Sequence, residues 1–72
     1  MRKYLKKMRR ERGLTQKAVA DYIGMRAHYY CMIEQGKRQS ELSLLLAVKL
    51  SEVLQVPLDR IVGEEKALRE EV

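Results

Sequence analysis

Apolar residues recur along the chain at steps of three and four, and this spacing predicts helices. In the first segment basic residues fill the remaining faces, and Gly13 ends the helix. We expect the apolar face of this helix to help close the core. The residues of that face are Met1, Tyr4, Leu5 and Met8.

Two short helices are predicted next. Thr15 is a suitable N-cap for the second helix, and Gly24 supplies its stop. The third helix is predicted from Arg26 to Gln35, with Tyr30 and Ile33 on its buried side. The inward residues of the second helix are Val19, Ala20 and Ile23.

The next part of the chain predicts a polar loop and a fourth helix. The loop lies between Gly36 and Leu42, and Ser43 caps the helix that follows. Because residues 44–46 are apolar on every side, we expect this helix to be central in the fold. Its inward residues are drawn from Leu44, Leu46, Ala47, Leu50, Val53 and Leu54.

A short fifth helix completes the pattern. Pro57 suits its first turn, and Gly63 is expected to close it. Its inward residues are Leu58, Ile61 and Val62. Residues 64–72 then form a polar tail, either frayed or weakly helical.

No segment alternates apolar and polar residues with the period of two that a half-buried strand requires. The fold class is therefore all-α, a compact five-helix domain. The helices are too short to pack far along one another as an up-down bundle. We expect residues 1–63 to form the domain and residues 64–72 its tail.

Length and composition exclude several classes of protein. The 72 residues fit one domain, too small for an enzyme with two lobes around a cleft. No spacing of a catalytic nucleophile and no phosphate-binding glycine loop is present, so we expect neither enzyme activity nor a cofactor. The longest apolar run, residues 44–48, is far below the roughly 20 residues of a membrane span. No apolar export segment follows the basic start, so we expect a cytoplasmic protein.

The single cysteine excludes a disulfide within the chain. Cys31 and His28 stand three residues apart and could share a metal ion, but a structural zinc site needs four ligands. We therefore predict no metal.

Charge is distributed unevenly along the chain. Residues 1–38 carry eleven Lys or Arg against three acidic residues, whereas residues 39–72 carry four against seven. A basic half on an acidic body suggests a surface for nucleic acid or an anionic membrane. A solvated basic surface without any partner would give the same pattern.

The two short helices around Gly24 and Met25 form a helix-turn-helix, whose second helix can enter the DNA major groove. In and around these two helices the chain carries Leu14, Thr15, Gln16, Val19, Ala20, Ile23, Gly24, Ile33, Glu34, Gly36, Lys37 and Arg38. Chiefly through these residues, the sequence resembles over residues 3–62 the Cro/phage-repressor (Cro/C1 or Xre-like) family of helix-turn-helix regulators, which have the lambda-repressor-like fold.

The resemblance implies that the third helix reads DNA bases from its first turn. The exposed residues would then be Arg26, Ala27, His28, Tyr29 and Met32, of which all but Tyr29 are candidates for base contact. Arg26 can donate two hydrogen bonds to guanine, or it can grip a phosphate. Ala27 and Met32 offer only apolar contact to a thymine methyl.

The resemblance also implies phosphate contacts on both sides of the third helix. The candidates are Gln16, Lys17, Tyr29, Lys37 and Arg38. Arg9 and Glu34 match positions that the family pairs in a partly buried ion bridge, with a structural role. Two departures from the family pattern stand out. Met25 and Arg26 cannot cap the third helix with a side chain. The stretch from Glu34 to Val56 is about two residues longer than is usual in the family, so we expect an extended loop after Gly36.

The favoured function is a sequence-specific transcriptional regulator, a repressor that occupies a double-stranded DNA operator. We expect a homodimer formed through helix five and the tail. One alternative is an antitoxin-type protein-binding module, in which residues 64–72 would contact a protein partner. A third hypothesis is that the first helix binds a membrane surface. The expected use of its apolar face to close the core argues against this.

Overall fold

A computed structural model describes residues 1–39 and 41–70 of the chain, so that Ser40 of the polar loop and Glu71 and Val72 of the tail lie outside the described residues. Within these ranges every regular element is a helix, and the prediction of an all-α fold is confirmed. The helices are α1 (Lys3–Glu11), α2 (Gln16–Ile23), α3 (Ala27–Glu34), α4 (Leu44–Leu54) and α5 (Leu58–Glu70).

Local signals in the sequence set the ends of α2 and the start of α4. The Thr15 hydroxyl accepts the Ala18 N–H at 3.0 Å, and the Ser43 hydroxyl accepts the Leu46 N–H at 3.2 Å. Gly24 ends α2 in the left-handed conformation, with φ of 78°. Both predicted caps and the predicted stop are confirmed. At the start of α3, Arg26 provides no side-chain cap, also as predicted.

The helices pack around α2, which contacts both α3 and α4, while α5 covers α4 and α1 covers α3. Each helix contributes at least one fully buried side chain. Burying a side chain of this size contributes about 1.5–3 kcal/mol, so the core is the main stabilising term of the fold. The largest fully buried side chains are Leu5, Val19, Tyr30, Ile33, Leu50, Leu54 and Ile61.

Three expectations about the core are wrong. Met1 is 60% exposed and does not help to close it, because α1 begins only at Lys3. Leu44 and Leu45 are 69% and 76% exposed, so α4 is not buried on every side. Helical residues turn by about 100° each, which points both side chains well away from buried Leu50. Val62 of α5 is 45% exposed, because buried Ile61 points inward and the next residue is turned away from it by about 100°.

The expected end of α5 at Gly63 is also wrong. The helix continues through Gly63 to Glu70. Gly63 does not have the positive φ that marks Gly13, Gly24 and Gly36. Residues 64–70 are mostly good helix formers, so propensity favours continuation once a contact holds the segment. The division of the chain into a domain of residues 1–63 and a tail of residues 64–72 stays a prediction.

Gly63 is helical and Gly24 is left-handed, so substitution by alanine is predicted to change stability in opposite directions at the two positions. Gly63→Ala should raise the free energy of unfolding by about 0.5–1 kcal/mol, because alanine favours a helix and no atom obstructs the added methyl group. Gly24→Ala should lower it by about 1–2 kcal/mol, because its left-handed backbone disfavours a side chain even where space is free. Urea unfolding measures both. A loss of stability in Gly63→Ala would mean that α5 stops there.

Candidate nucleic-acid interface

The α2–α3 pair is joined by a tight turn that leaves one side of α3 free. Past Gly24, the Met25 N–H donates to the Ala20 carbonyl at 2.9 Å, which turns the chain sharply into α3. The inner side of α3 carries Tyr30, Ile33 and Glu34, all buried. Its outer side therefore has no core to pack against and faces solvent.

The predicted base-reading residues are not equally accessible. Arg26 and His28 are exposed at the start of α3. Ala27 and Met32 are half-buried rather than exposed, and Ala27 packs against the core. Polar and cationic groups thus dominate the accessible part of the first turn.

Arg38 and Tyr29 lie against each other on the outer side of α3. The Arg38 guanidinium carbon is 4.4 Å from the centre of the Tyr29 ring, within cation–π distance. Tyr29 is 40% exposed, and both Lys37 and Arg38 are exposed. The Lys37 N–H donates to the Met32 carbonyl at 2.9 Å. The Arg38 guanidinium therefore stays close to α3, and the Lys37 backbone is bonded to the end of the same helix.

On the other side, the start of α2 carries the remaining predicted phosphate contacts. The Lys17 ammonium pairs with the Asp21 carboxylate at 2.9 Å, and both side chains are largely exposed. An exposed pair of this kind is weak, so Lys17 can exchange it for another anion. The Gln16 amide is half-buried and donates to Glu34 at 3.1 Å. Gln16 thus braces α3 directly.

Two further cations lie beside the start of α2 and were not singled out from the sequence. Lys6 and Arg10 of α1 line a shallow groove with Gln16, Lys17 and Ala27. Their spacing of four residues places them on one helical face, which is the signal that could have found them. The groove adds positive charge to the surface next to α3.

Glu34 is the buried centre of the region. The Arg9 guanidinium donates to it through Nε at 2.7 Å, and Nη1 of Arg9 donates to the Leu14 carbonyl at 2.9 Å. Burial alone raises the pKa of the Glu34 carboxyl, but its hydrogen bonds, first that from Arg9, outweigh burial and hold the pKa below its ordinary value of 4.5. The same hydrogen bond raises the pKa of the Arg9 guanidinium above its ordinary value. The pair is therefore ionised at neutral pH.

Comparison with known proteins shows which family the sequence of this helix-turn-helix domain belongs to. A family described as helix-turn-helix matches residues 5–61. The chain belongs to the helix-turn-helix family of the Cro/C1 type. It is also 44% identical over 54 residues to the uncharacterized HTH-type transcriptional regulator YqaF of Bacillus subtilis, a match that covers 75% of this chain and 68% of YqaF. The family resemblance read from the sequence is confirmed.

The matched span of the helix-turn-helix family covers α1 to α4 almost completely and ends at Ile61 in α5. It includes Arg9, Glu34 and every predicted contact residue, but it leaves out Arg2 and the second half of α5. Among the described residues, no helix is both long and apolar enough to cross a membrane. The same residues hold no group of three His, Cys, Asp or Glu side chains arranged to bind a metal ion.

The depressed pKa of Glu34 predicts how stability depends on pH. The carboxylate binds protons less readily when folded than when unfolded, so its contribution is complete above the unfolded pKa near 4.5 and is lost as the pH falls through the lower folded value. Glu34→Gln should flatten the fall in stability below about pH 4.5, measured by urea unfolding from pH 7 to 3. Exposed Glu52 provides the control, since Glu52→Gln should retain the wild-type slope. Equal slopes in all three proteins would contradict the role of Glu34.

Proposed function

We propose that this chain is a sequence-specific transcriptional regulator that inserts α3 into the major groove of double-stranded DNA. The observation that carries the proposal is the exposed first turn of α3, where Arg26 and His28 face solvent. Lys17 lines a groove with Ala27, and Arg38 lies on the Tyr29 ring, so cations adjoin this helix. An α-helix fits the major groove, and the N-terminal residues of the second helix in this motif reach base edges. Its likeness to YqaF, an HTH-type transcriptional regulator, supports the same function.

Charge supports DNA as the ligand. Of the fifteen Lys and Arg residues, eleven precede Gln39, and the helix-turn-helix lies within that basic half. Lys17, Lys37 and Arg38 flank α3 on its two sides. These are the positions from which cations can contact the two phosphate backbones that border a groove. If about four phosphates were neutralised per half-site, log K would fall with log salt at a slope of about −3.6.

Base reading is assigned to few groups. Arg26 can donate two hydrogen bonds to guanine, and His28 can add one or two. Because Ala27 and Met32 are half-buried, their apolar contacts to thymine are limited. We infer that DNA shape and deformability supply part of the specificity.

We further infer a homodimer that represses by occupying its operator. Two-fold pairing would place half-sites about 34 Å apart, one turn of DNA. Helix α5 is the proposed contact, because Val62 is 45% exposed and Leu68 is only half-buried in the monomer. Regulation by occupancy requires binding and no catalysis.

Two substitutions separate base reading from phosphate contact. Arg26→Ala should cost about 1–3 kcal/mol on the preferred duplex and relax the preference at one base position. Lys37→Ala should weaken binding to all duplexes about equally and reduce the salt slope by about one unit. Selection of duplexes from a random pool, followed by fluorescence anisotropy over a range of salt, measures both effects.

Lys66→Ala is the matched control for charge. Lys66 is exposed on α5, outside the proposed surface, and its loss lowers the net charge equally. It should leave the preferred sequence unchanged and alter the salt slope less than Lys37→Ala does. Failure of the wild-type protein to select any duplex would refute DNA recognition. If Arg26→Ala and Lys37→Ala behaved alike, the assigned division of roles would be wrong.

A further inference from the structure

Arg2 is buried although it carries a charge and lies outside the matched span of the family. It occupies the N-cap position of α1 and is only 4% exposed. Its guanidinium pairs with the Glu65 carboxylate of α5, through Nε at 2.9 Å and Nη2 at 3.2 Å. Glu65 is 18% exposed and also accepts the Tyr4 hydroxyl at 2.6 Å. A buried charge of this kind needs such partners to be tolerated.

The remaining donors of Arg2 all go to backbone at the end of α3 and in the loop after it. Nη1 donates to the carbonyls of Ile33 at 2.9 Å and Arg38 at 3.1 Å, and Nη2 donates to the Gln39 carbonyl. The Arg2 backbone N–H donates to the Glu34 carbonyl at 2.8 Å. Arg2 therefore satisfies carbonyls that the helix end leaves without intrahelical partners, and its charge suits that end of the helix dipole.

The loop held by Arg2 has a shape that the chain does not favour by itself. Gln39 has φ of 55°, in the left-handed region that side-chain-bearing residues seldom adopt. Arg2 donates hydrogen bonds to the carbonyls of Arg38 and Gln39, which precede and follow the Cα atom of Gln39. A fixed guanidinium fork can therefore hold this turn, and with it the backbone that carries Lys37 and Arg38.

We propose that Arg2 and Glu65, here called the Arg2–Glu65 clamp, are positioning residues for DNA binding. The clamp holds the loop of Lys37 and Arg38 against the end of α3, so that these cations meet the phosphates without first being ordered. The proposal rests on the proposed function. It also gives the second half of α5 a role, because Glu65 lies past Gly63 and reaches Arg2 only if the helix continues.

The clamp makes a prediction opposite in sign to that of simple electrostatics. Removing a negative charge from a DNA-binding protein should strengthen binding to a polyanion. Glu65→Gln keeps the shape of the side chain but loses the ion pair that fixes Arg2. We expect it to weaken binding to the selected duplex about tenfold, because the released loop must be ordered on binding and does not return every cation to its phosphate. The salt slope should become about one unit shallower, since about one phosphate contact is then lost.

Glu64→Gln is the matched control, since it changes the net charge equally at the neighbouring position of α5. It should leave affinity unchanged or slightly raised. Adding Lys37→Ala to Glu65→Gln should weaken binding less than it does in the wild-type protein, because the loop is already displaced. A purely structural role for Glu65 predicts an unchanged salt slope and full additivity.

Amide hydrogen exchange in the DNA-free protein tests the clamp independently. Glu65→Gln should accelerate exchange at Lys37, whose N–H is bonded to Met32, more than at the core amides of α2. Tyr4→Phe, which removes a single hydroxyl, provides the same test with a milder change if Glu65→Gln does not fold. Wild-type affinity, salt slope and loop exchange in the folded variants would overturn the clamp. Absence of duplex selection by the wild-type protein would instead refute the proposed function.

Discussion

The buried carboxylate of Glu34 joins the three helices on which the candidate interface is built. It lies on α3 and is only 3% exposed, and it accepts hydrogen bonds from Arg9 of α1 and Gln16 of α2. Helix α3 has eight residues, fewer than an isolated helix needs to be stable in water. Its orientation therefore depends on tertiary contacts. Polar contacts are directional, and Glu34 fixes the rotation of α3 about its axis in a way that apolar packing alone would not.

The two ends of α3 are held differently, and the difference suits the groove-reading role proposed for this helix. Its start has no side-chain cap and exposes Arg26 and His28. Its end is held by Glu34 on the inner side and by Arg2 on the carbonyls and the following loop. A helix whose end is anchored and whose first turn exposes polar side chains can present that turn to a ligand without losing its position. The same anchors set the place of the loop cations.

Much of the fold could be predicted because local chemistry decides it. Thr15 and Ser43 offer hydroxyl caps, Gly24 permits a left-handed stop, and spacing identifies the buried stripes. The end of α5 could not be predicted in the same way. A glycine before a charged segment predicts the end of a helix. The contact that favours continuation of α5 joins Glu65 to Arg2, 63 residues away in the sequence. The exposure of Leu44 and Leu45 likewise depends on how α4 is rotated against α2, which its apolar sequence leaves open.

The candidate site was predictable in its residue types but not in its internal contacts. Cations flanking α3 followed from the family resemblance. The stacking of Arg38 on Tyr29 and the partial burial of Met32 depend on the path of the loop and the rotation of α3.

A double-mutant cycle of Arg9→Met and Glu34→Met, measured by urea unfolding, tests the central role of Glu34 most directly. Each single change should cost about 3–5 kcal/mol by stranding a buried charge, and the double change should cost well below their sum. Additive losses, like those expected at the exposed Lys17–Asp21 pair, would contradict it.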